Sequence, residues 1–444
     1  IDMTIVAFII LIALIIISFI LKITIAYALC AGLVLFAILA LLHGNSLKSV
    51  TSMILLGSVK IADVIVLLGC IGVLIATWMS SGTIPYLCML GTNLIRPSIF
   101  VPTTFVLCCL LSFLIGTAYG TAGILGVVLM TIARGGGMNI DLIAGAILCG
   151  IYFGERCSPM SPSLLLLTKI TDSNIYDNVK ISLMASLPPA FICTVLYALF
   201  SITNKSENLN GNILSKLSED FFISPLCIIP AALVIVLLIM KLNVKLVMCI
   251  SIMAAGLMSF SLQGNDMRSI FHQMVYGFYL SDASPLYKII RGGGVLSMVG
   301  VSVIILCASI IGEIVKDGKL IKLNEQGQKN YTSRAKLYLT TMVTSLVTAA
   351  IGCSQIIAII STKDIMEGRY HKAGLSKNQL IKDITMTASL VPIVMPWNAA
   401  VVFPIAVLGI QGIGHEKYLF LVYVAQIYSY IKYKFEDIKN LRTR

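Results

Sequence analysis

Charged residues are scarce in this 444-residue chain: Asp, Glu, Lys and Arg make up 12% of it, whereas hydrophobic types make up 58%. Soluble domains carry about 25% charged residues. Apolar runs of roughly 18 residues or more recur along the whole chain, which is close to the length a helix needs to cross a bilayer. A soluble fold cannot bury this much apolar surface, so the composition predicts a polytopic membrane protein.

Cysteine pairs and clustered histidines are missing as well. None of the 12 cysteines stands in a CxxC pair, and we interpret them as free thiols that pack as small hydrophobes. The four histidines have no metal-ligand spacing, which argues against a zinc site. Paired catalytic carboxylates and nucleophile–base sets are not apparent in the apolar runs either. We therefore expect one membrane domain over residues 1–444, without enzymatic activity or a bound cofactor.

The apolar runs predict an all-α protein with about 11 to 13 membrane segments, some of them broken or re-entrant. The predicted helices lie near residues 3–21, 23–42, 63–80, 99–115, 117–133, 140–153, 181–200, 224–240, 244–262, 294–312, 338–360, 384–410 and 417–431.

Lysine and arginine are concentrated in three polar stretches, 313–337, 361–383 and 432–444. Such stretches stay on the cytoplasmic side of a membrane protein, so we expect a cytoplasmic C-terminus. Only one apolar run, 338–360, separates the first two stretches. Either this run re-enters the membrane as a hairpin, or one of the two basic stretches is an exception and lies on the other side of the membrane. The sequence leaves both alternatives open.

The two halves of the chain resemble each other at a nearly fixed offset. The matches are Gly82 with Gly318 (318 − 82 = 236), Gly116 with Gly352 (352 − 116 = 236) and Pro159 with Pro396 (396 − 159 = 237). Many transporters consist of two repeats, with the binding site near the bilayer midplane where interrupted helices meet. We predict a polytopic transporter with two repeats, expected to be inverted, at about 63–200 and 291–431.

Polar residues within apolar runs mark the candidate site, because irregular backbone at membrane depth must be buried or line a cavity. Glu155 and Arg156 are the only charges in residues 142–168. An ionisable residue there is a functional candidate by default. Glu155 can bind a cation such as Na⁺ or carry a proton, with Ser158 and Ser161 beside it. The alternatives are a structural Glu155–Arg156 pair, or a loop that leaves the membrane at Ser158.

Neutral oxygen ligands stand in three further segments. Thr117 and Thr121 belong to a glycine-rich segment whose hydroxyls and carbonyls suit a hard cation, although a small-residue packing face is an equal alternative. Ser354 and Gln355 follow Gly352 in the second half. Asn398 belongs to a Pro-Ile-Val-Met-Pro-Trp-Asn segment, which should break the helix predicted at 384–410. The alternative is that Asn398 forms a hydrogen bond between two helices.

These residues carry a resemblance to the NhaC family of sodium/proton antiporters, over roughly 63–180 and 291–411. The matching positions are Trp78, Ser81-Gly82-Thr83-Ile84-Pro85, Gly116-Thr117, Tyr119-Gly120-Thr121, Gly154-Glu155, Ser158-Pro159, Ser161, Ser354-Gln355 and Pro396-Trp397-Asn398. The resemblance implies inverted repeats, alternating access and cation-coupled exchange in the bacterial inner membrane. Na⁺ and H⁺ would be the transported or coupling ions.

The chain departs from the family pattern at several acids. Glu155 stands where the family usually has Asp, and the family's Ser-Asp-Thr-Thr is Ser161-Pro-Ser-Leu in this chain. Ser354 replaces an acid before Gln355, and Thr385 and Met386 stand where further acids are expected. Fewer carboxylates remain to hold Na⁺ or release protons, which favours an organic substrate over simple exchange.

On the family resemblance as a whole, we expect a secondary antiporter that exchanges Na⁺ for H⁺. The alternative is a Na⁺- or H⁺-coupled transporter of an amino acid or organic acid on the same fold. A passive channel and a membrane enzyme are the other classes. The repeat and the broken helices argue against a channel, and the missing catalytic residue sets argue against an enzyme. The expected partners are the lipid bilayer, the small substrate and a second copy of the chain in a homodimer.

Overall fold

The computed structural model describes residues 3–21, 23–94, 97–203, 220–240, 242–280, 291–318, 333–410 and 412–442, and these are mostly α-helical. In these residues the only sheet is an antiparallel pair of two-residue strands, β1 (Phe278–Tyr279) and β2 (Arg291–Gly292). The prediction of an all-α polytopic transporter fold is confirmed.

The helices are α1 Met3–Ile20, α2 Ile25–Leu42, α3 Leu47–Ser80, α4 Thr83–Leu94, α5 Phe100–Ile115, α6 Ala118–Thr121, α7 Val127–Gly135, α8 Ile140–Cys157, α9 Pro162–Ile170, α10 Ile175–Thr203, α11 Ile229–Ile239, α12 Val244–Ser261, α13 Met267–Tyr276, α14 Val299–Asp317, α15 Arg334–Gly352, α16 Gln355–Lys372, α17 Lys377–Met386, α18 Ala399–Val407 and α19 Phe420–Arg442.

Six of the described helices are long and apolar enough to cross a membrane, judged by length and composition. A seventh crossing results if Lys377–Val394 and Ala399–Val407, which meet at 55°, form one bent span. Four more apolar helices are shorter than 18 residues. Several segments that the sequence presents as full crossings are therefore half-helices or arms of a hairpin.

The run 338–360, which the sequence presents as one helix or as a re-entrant hairpin, is divided between two helices, α15 and α16. Thr341 Oγ1 lies 3.0 Å from Tyr370 Oη, and Thr348 Oγ1 lies 3.0 Å from Thr362 Oγ1, so α15 and α16 run antiparallel. The chain reverses at residue 353, a cysteine in the left-handed conformation, with φ of 49°. Of the two alternatives left open by the sequence, the hairpin agrees with these two antiparallel helices.

The hairpin returns to the end of the molecule at which it began. Ser333 Oγ donates to Asp437 Oδ2 at 2.7 Å, which joins the start of α15 to the end of α19. Arg334 Nη2 lies 2.5 Å from Asp383 Oδ2, and Tyr433 Oη donates to Asp383 Oδ1 at 2.7 Å. We call this the basic end, because one residue from each of the three basic stretches, Arg334, Asp383 and Asp437, lies there. Residues 319–332 of the first stretch lie outside the described residues.

Two broken helices cross the molecule in opposite directions. Lys377 Nζ donates to the Asp172 carbonyl at 2.9 Å, so α9 ends and α17 begins at the basic end. Arg134 Nη2 donates to the Leu408 carbonyl at 2.6 Å, so α18 ends beside the turn where α8 begins. We call this second location the far end. The α8–α9 pair thus runs from the far end to the basic end, and the α17–α18 pair runs back.

A second hairpin enters from the far end. Gly150 lies against Phe105 and Gly154 against Phe113, so α5 runs parallel to α8 toward the middle of the molecule. The chain turns at Gly116, whose φ is 78°, and returns through α6 and α7. A Cβ at position 154 would lie 2.5 Å from the Phe113 nitrogen, so only glycine permits this close approach of α5 and α8.

Candidate functional site

The site is built around the interruption between α8 and α9. The helix ends at Cys157 because Ser158 takes an extended conformation. Pro162 then occupies the first turn of α9, a position where its missing N–H costs nothing. Ser161 caps α9 by accepting a hydrogen bond from the Leu164 N–H at 3.3 Å. Serine and proline thus place a helix C-terminus and a helix N-terminus side by side.

The Glu155 side chain lies in the last turn of α8 and is buried, with 8% of its surface exposed. Its Oε2 accepts a hydrogen bond from the Ala118 N–H at 3.0 Å, and its Oε1 accepts one from the Ser163 hydroxyl at 3.0 Å. Ser163 Oγ lies 2.8 Å from Ser161 Oγ, which extends the chain of hydroxyls. None of the ion pairs in the described part of the chain involves Glu155.

A buried carboxylate that meets only neutral donors is costly as a bare anion. A bound proton or a bound cation relieves this cost. The arrangement can therefore hold either H⁺ or Na⁺, and the two compete for the same oxygens.

Arg156 points away from this carboxylate, so the Glu155–Arg156 pair considered as an alternative is not formed. Successive helix residues are about 100° apart around the axis, which sends neighbouring side chains to different sides. The Arg156 guanidinium lies 5.9 Å from the Phe153 ring centroid, and its Nη1 lies 4.0 Å from Met386 Sδ. Met386 is one of the two positions where the family resemblance leads one to expect an acid.

The tip of the α5–α6 hairpin supplies the backbone donor to Glu155. Thr117 is extended and caps α6, its Oγ1 lying 3.5 Å from the Gly120 nitrogen. Thr121 Oγ1 donates to the Thr117 carbonyl at 2.9 Å. Both hydroxyls thus form hydrogen bonds with nearby backbone groups. The group that contacts the Glu155 carboxylate is the Ala118 N–H. A π-helical turn, Ala122–Gly126, follows, a feature that is frequent at functional sites.

Asn398 occupies the corresponding interruption in the second half, and the break predicted there is confirmed. Its Oδ1 accepts a hydrogen bond from the Ala400 N–H at 3.0 Å, which caps α18, and its Nδ2 donates to the Ala349 carbonyl at 2.9 Å. The Ala399 N–H also donates to the Cys353 carbonyl, at 3.0 Å. The α15–α16 hairpin tip is therefore attached to the start of α18.

Ser354 and Gln355 lie at the same hairpin tip. Gln355 Nε2 donates to the Ser389 carbonyl at 2.7 Å, which holds α16 against the interruption after α17. Ser354 begins α16, but its side chain does not cap the helix. Like Asn398, Gln355 donates a hydrogen bond from its side-chain amide to a backbone carbonyl. The structure shows no contact between Glu155 and the side chains of Ser354, Gln355 and Asn398.

Two tyrosines connect the two interruptions. Tyr119 Oη donates to the Ala399 carbonyl at 3.3 Å, and Tyr152 Oη donates to the Ala400 carbonyl. The Tyr119 ring stacks on Phe403, with centroids 4.1 Å apart. The first turn of α18 is thus held by groups from the first half of the chain.

The structure brings together five of the eight predicted site residues at the first interruption and the hairpin tip beside it, namely Thr117, Thr121, Glu155, Ser158 and Ser161. Sequence reasoning missed the contributions of Tyr119, Tyr152, Ser163 and the unpaired Arg156. A usable signal existed for Ser163, which completes a Ser-Pro-Met-Ser-Pro-Ser run. Within the described residues, no three His, Cys, Asp or Glu side chains group as a metal site. A cation at Glu155 would need serine, threonine or carbonyl oxygens as its other ligands.

Comparison with known proteins agrees with this architecture. The model of the Na⁺/H⁺ antiporter family matches residues 150–433. The malate-2H⁺/Na⁺-lactate antiporter of Bacillus subtilis is 28% identical over 86% of this chain and 83% of its own length. The Na⁺/H⁺ antiporter NhaC of Alkalihalophilus pseudofirmus is 25% identical over 81% and 79%. The arginine/ornithine antiporter ArcD of Halobacterium salinarum is 26% identical over 78% and 73%. With the family model covering more than half of its length, this multi-pass membrane chain belongs to the Na⁺/H⁺ antiporter family.

Proposed function

We propose that this antiporter exchanges Na⁺ for H⁺ across the bacterial plasma membrane, with Glu155 carrying the two ions in turn. The observation that supports this most is the environment of the carboxylate. It is buried, it accepts hydrogen bonds from two neutral donors, and it has no ion-pair partner among the described residues. One carboxylate that must be neutralised by either ion, but not by both together, is sufficient to couple their fluxes.

The ligands proposed for Na⁺ are Glu155 and oxygens at the two neighbouring breaks, from Ser158, Ser161, Ser163 and Thr117. Hard cations prefer such oxygen ligands. Ser161 and Ser163 are already linked to the carboxylate through hydrogen bonds. On protonation of Glu155, the site would lose its only negative ligand and release the cation.

Alternating access is supported by the opposite directions of the two broken helices. Asn139 and Ser376 cap the first halves of the two pairs, and 376 − 139 = 237. Ser161 and Asn398 cap the second halves, and 398 − 161 = 237. Corresponding half-helices in opposite orientation are what an inverted repeat requires. The concentration of lysine and arginine at the basic end supports a cytoplasmic location of that end and of the C-terminus.

A second candidate function is the coupled transport of an organic acid or amino acid. Two similar proteins carry names of that kind, the malate/lactate and arginine/ornithine antiporters. The observation that favours it is Arg156, a buried cation that has no acidic partner in the part of the chain that the structure describes. In this version Na⁺ or H⁺ at Glu155 remains the coupling ion.

Proteoliposomes with an imposed pH gradient and an internal pH-sensitive dye test the proposal. Added Na⁺ should collapse the gradient in the wild type. Glu155→Gln should abolish this response, because the neutral Gln side chain cannot take up a proton and carries no negative charge to bind Na⁺. Glu155→Asp should retain part of it. Glu367→Gln is the matched control, because Glu367 is half exposed and pairs with Lys363 on the helix surface. A Glu155→Ala variant with unchanged flux and unchanged pH dependence would disprove the assignment.

A further inference from the structure

We propose that Arg156 binds the carboxylate group of an organic anion, in a site formed by the end of α8, by α10 and by the end of α17. This inference rests on the proposed transport function and adds a second ligand class beside the cation at Glu155. The site lies on the other side of α8 from the Glu155 carboxylate, next to the same helix break.

The guanidinium is buried and half of it is unused. Only 1% of the Arg156 surface is exposed. Its Nε and Nη2 have no hydrogen-bond partner among the described residues. These two nitrogens form one edge of the guanidinium, with their N–H bonds nearly parallel. A carboxylate matches that edge with two parallel hydrogen bonds, which is the strongest pairing available to arginine.

No acid in the described part of the chain neutralises this cation. The contrast with Arg334, a second arginine with little exposure, is informative: Arg334 lies 2.5 Å from the Asp383 carboxylate. A buried charge without a partner destabilises the protein, and the Met386 sulfur and the Phe153 ring replace little of the lost hydration. An anionic ligand would supply the missing partner.

Hydroxyl groups from α10 accompany the guanidinium. Ser186 Oγ lies 3.7 Å from the same Met386 sulfur that Arg156 contacts. Ser182 lies one turn earlier on the same face of α10, and its hydroxyl is fully buried without a partner. Two hydroxyl donors and a guanidinium edge are suited to a carboxylate, and the positive guanidinium disfavours a cation there.

The position next to Glu155 gives the proposed site a role in coupling. Glu155 and Arg156 together carry no net charge, and binding one Na⁺ and one carboxylate leaves that sum at zero. A loaded site then crosses the low-dielectric interior without added net charge, which keeps the electrostatic cost of the movement low.

Thermal unfolding of the full-length protein in detergent tests binding, with potassium acetate, potassium succinate and potassium chloride as probes. Acetate or succinate should raise the unfolding midpoint saturably, and chloride should not. Arg156→Gln and Met386→Glu should weaken the apparent affinity at least tenfold, about 1.4 kcal/mol, since one removes the guanidinium and the other supplies an internal acid. Arg156→Lys should bind with intermediate affinity because an ammonium lacks the paired edge.

Arg268→Gln is the matched control, because Arg268 lies exposed on α13, and it should bind as the wild type does. Absence of any saturable carboxylate effect in the wild type would overturn the proposal, as would an equal effect of chloride or an unchanged affinity in Met386→Glu. The Na⁺-driven proton movement of the proteoliposomes, measured without organic anion, reports separately on Glu155. Carboxylate binding without that movement would refute the proposed exchange and leave the Arg156 site standing, and the reverse result would refute the site alone.

Discussion

Replacing Asp383 by Asn tests how the basic end is held together. Asp383 is fully buried. Its carboxylate accepts hydrogen bonds from Arg334 Nη2 at 2.5 Å, from Tyr370 Oη at 2.5 Å and from Tyr433 Oη at 2.7 Å. One side chain on α17 thus connects α15, α16 and α19. Asn has nearly the same shape, so the substitution removes the charge with little change in packing.

The expected loss is about 3 kcal/mol of unfolding free energy. Removing one partner of a buried ion pair costs about 3–5 kcal/mol because it leaves the other charge uncompensated. The lower end applies, because the Asn amide oxygen can still accept a hydrogen bond from one of the two tyrosines and because the Arg334 guanidinium keeps its position 4.0 Å from the Tyr433 ring centroid. The Arg334 Nε and Nη1 already lack partners, so few other contacts can compensate.

Reversible unfolding in mixed micelles measures this loss, and a double-mutant cycle isolates the pair. Asp383→Asn combined with Arg334→Met should be less destabilised than the sum of the single variants, by more than about 1 kcal/mol. The exposed Lys363–Glu367 pair is the control, and Glu367→Gln should change stability by less than about 1 kcal/mol. An Asp383→Asn protein as stable as the wild type, or strictly additive variants, would refute the reasoning.

Two further substitutions test contacts near the interrupted helices. Gly154→Ala should destabilise the protein by at least about 2 kcal/mol, measured in the same micelles, because the added Cβ would lie 2.5 Å from backbone atoms of Cys109 and Phe113. Gly69→Ala, with nothing within 4 Å, should be neutral or slightly stabilising, and equal effects at both glycines would contradict the packing argument. Asn398→Ala should cost about 1–2 kcal/mol through loss of the α18 cap and should slow transport, whereas Asn398→Asp keeps the capping oxygen and should lose less; identical losses would exclude the cap as the cause.

Helix positions were predictable from the sequence because long apolar runs leave few alternatives in a bilayer. The helix expected over 99–115 is Phe100–Ile115, and the Pro-Trp-Asn break lies where it was expected. The hairpin within 338–360 was not resolved, because apolar periodicity does not show whether a run continues or folds back. Cys353, at the reversal, is an apolar residue that gives no turn signal.

Glu155 could be identified from sequence because a charge within an apolar run is rare and costly. Its partners were harder to predict. The Ala118 donor is a backbone N–H, which any residue other than proline supplies. The absence of an acidic partner for Arg156 depends on Met386, 230 positions away, and only the folded chain shows that no acid from the described residues lies there.

The geometry at the end of α8 explains why two adjacent charges serve different neighbours. Glu155 contacts the first hairpin and α9, all within the first half of the chain, whereas Arg156 contacts Met386 in the second half. Both side chains belong to one helical turn that ends at a break, and a rigid turn moves as a unit. Any displacement of that turn relative to α17 therefore changes the surroundings of the carboxylate and of the guanidinium together. Each group lacks an ion-pair partner of its own in the described chain. The cation proposed at Glu155 and the anion proposed at Arg156 would therefore undergo the same movement, which would couple one ligand to the other.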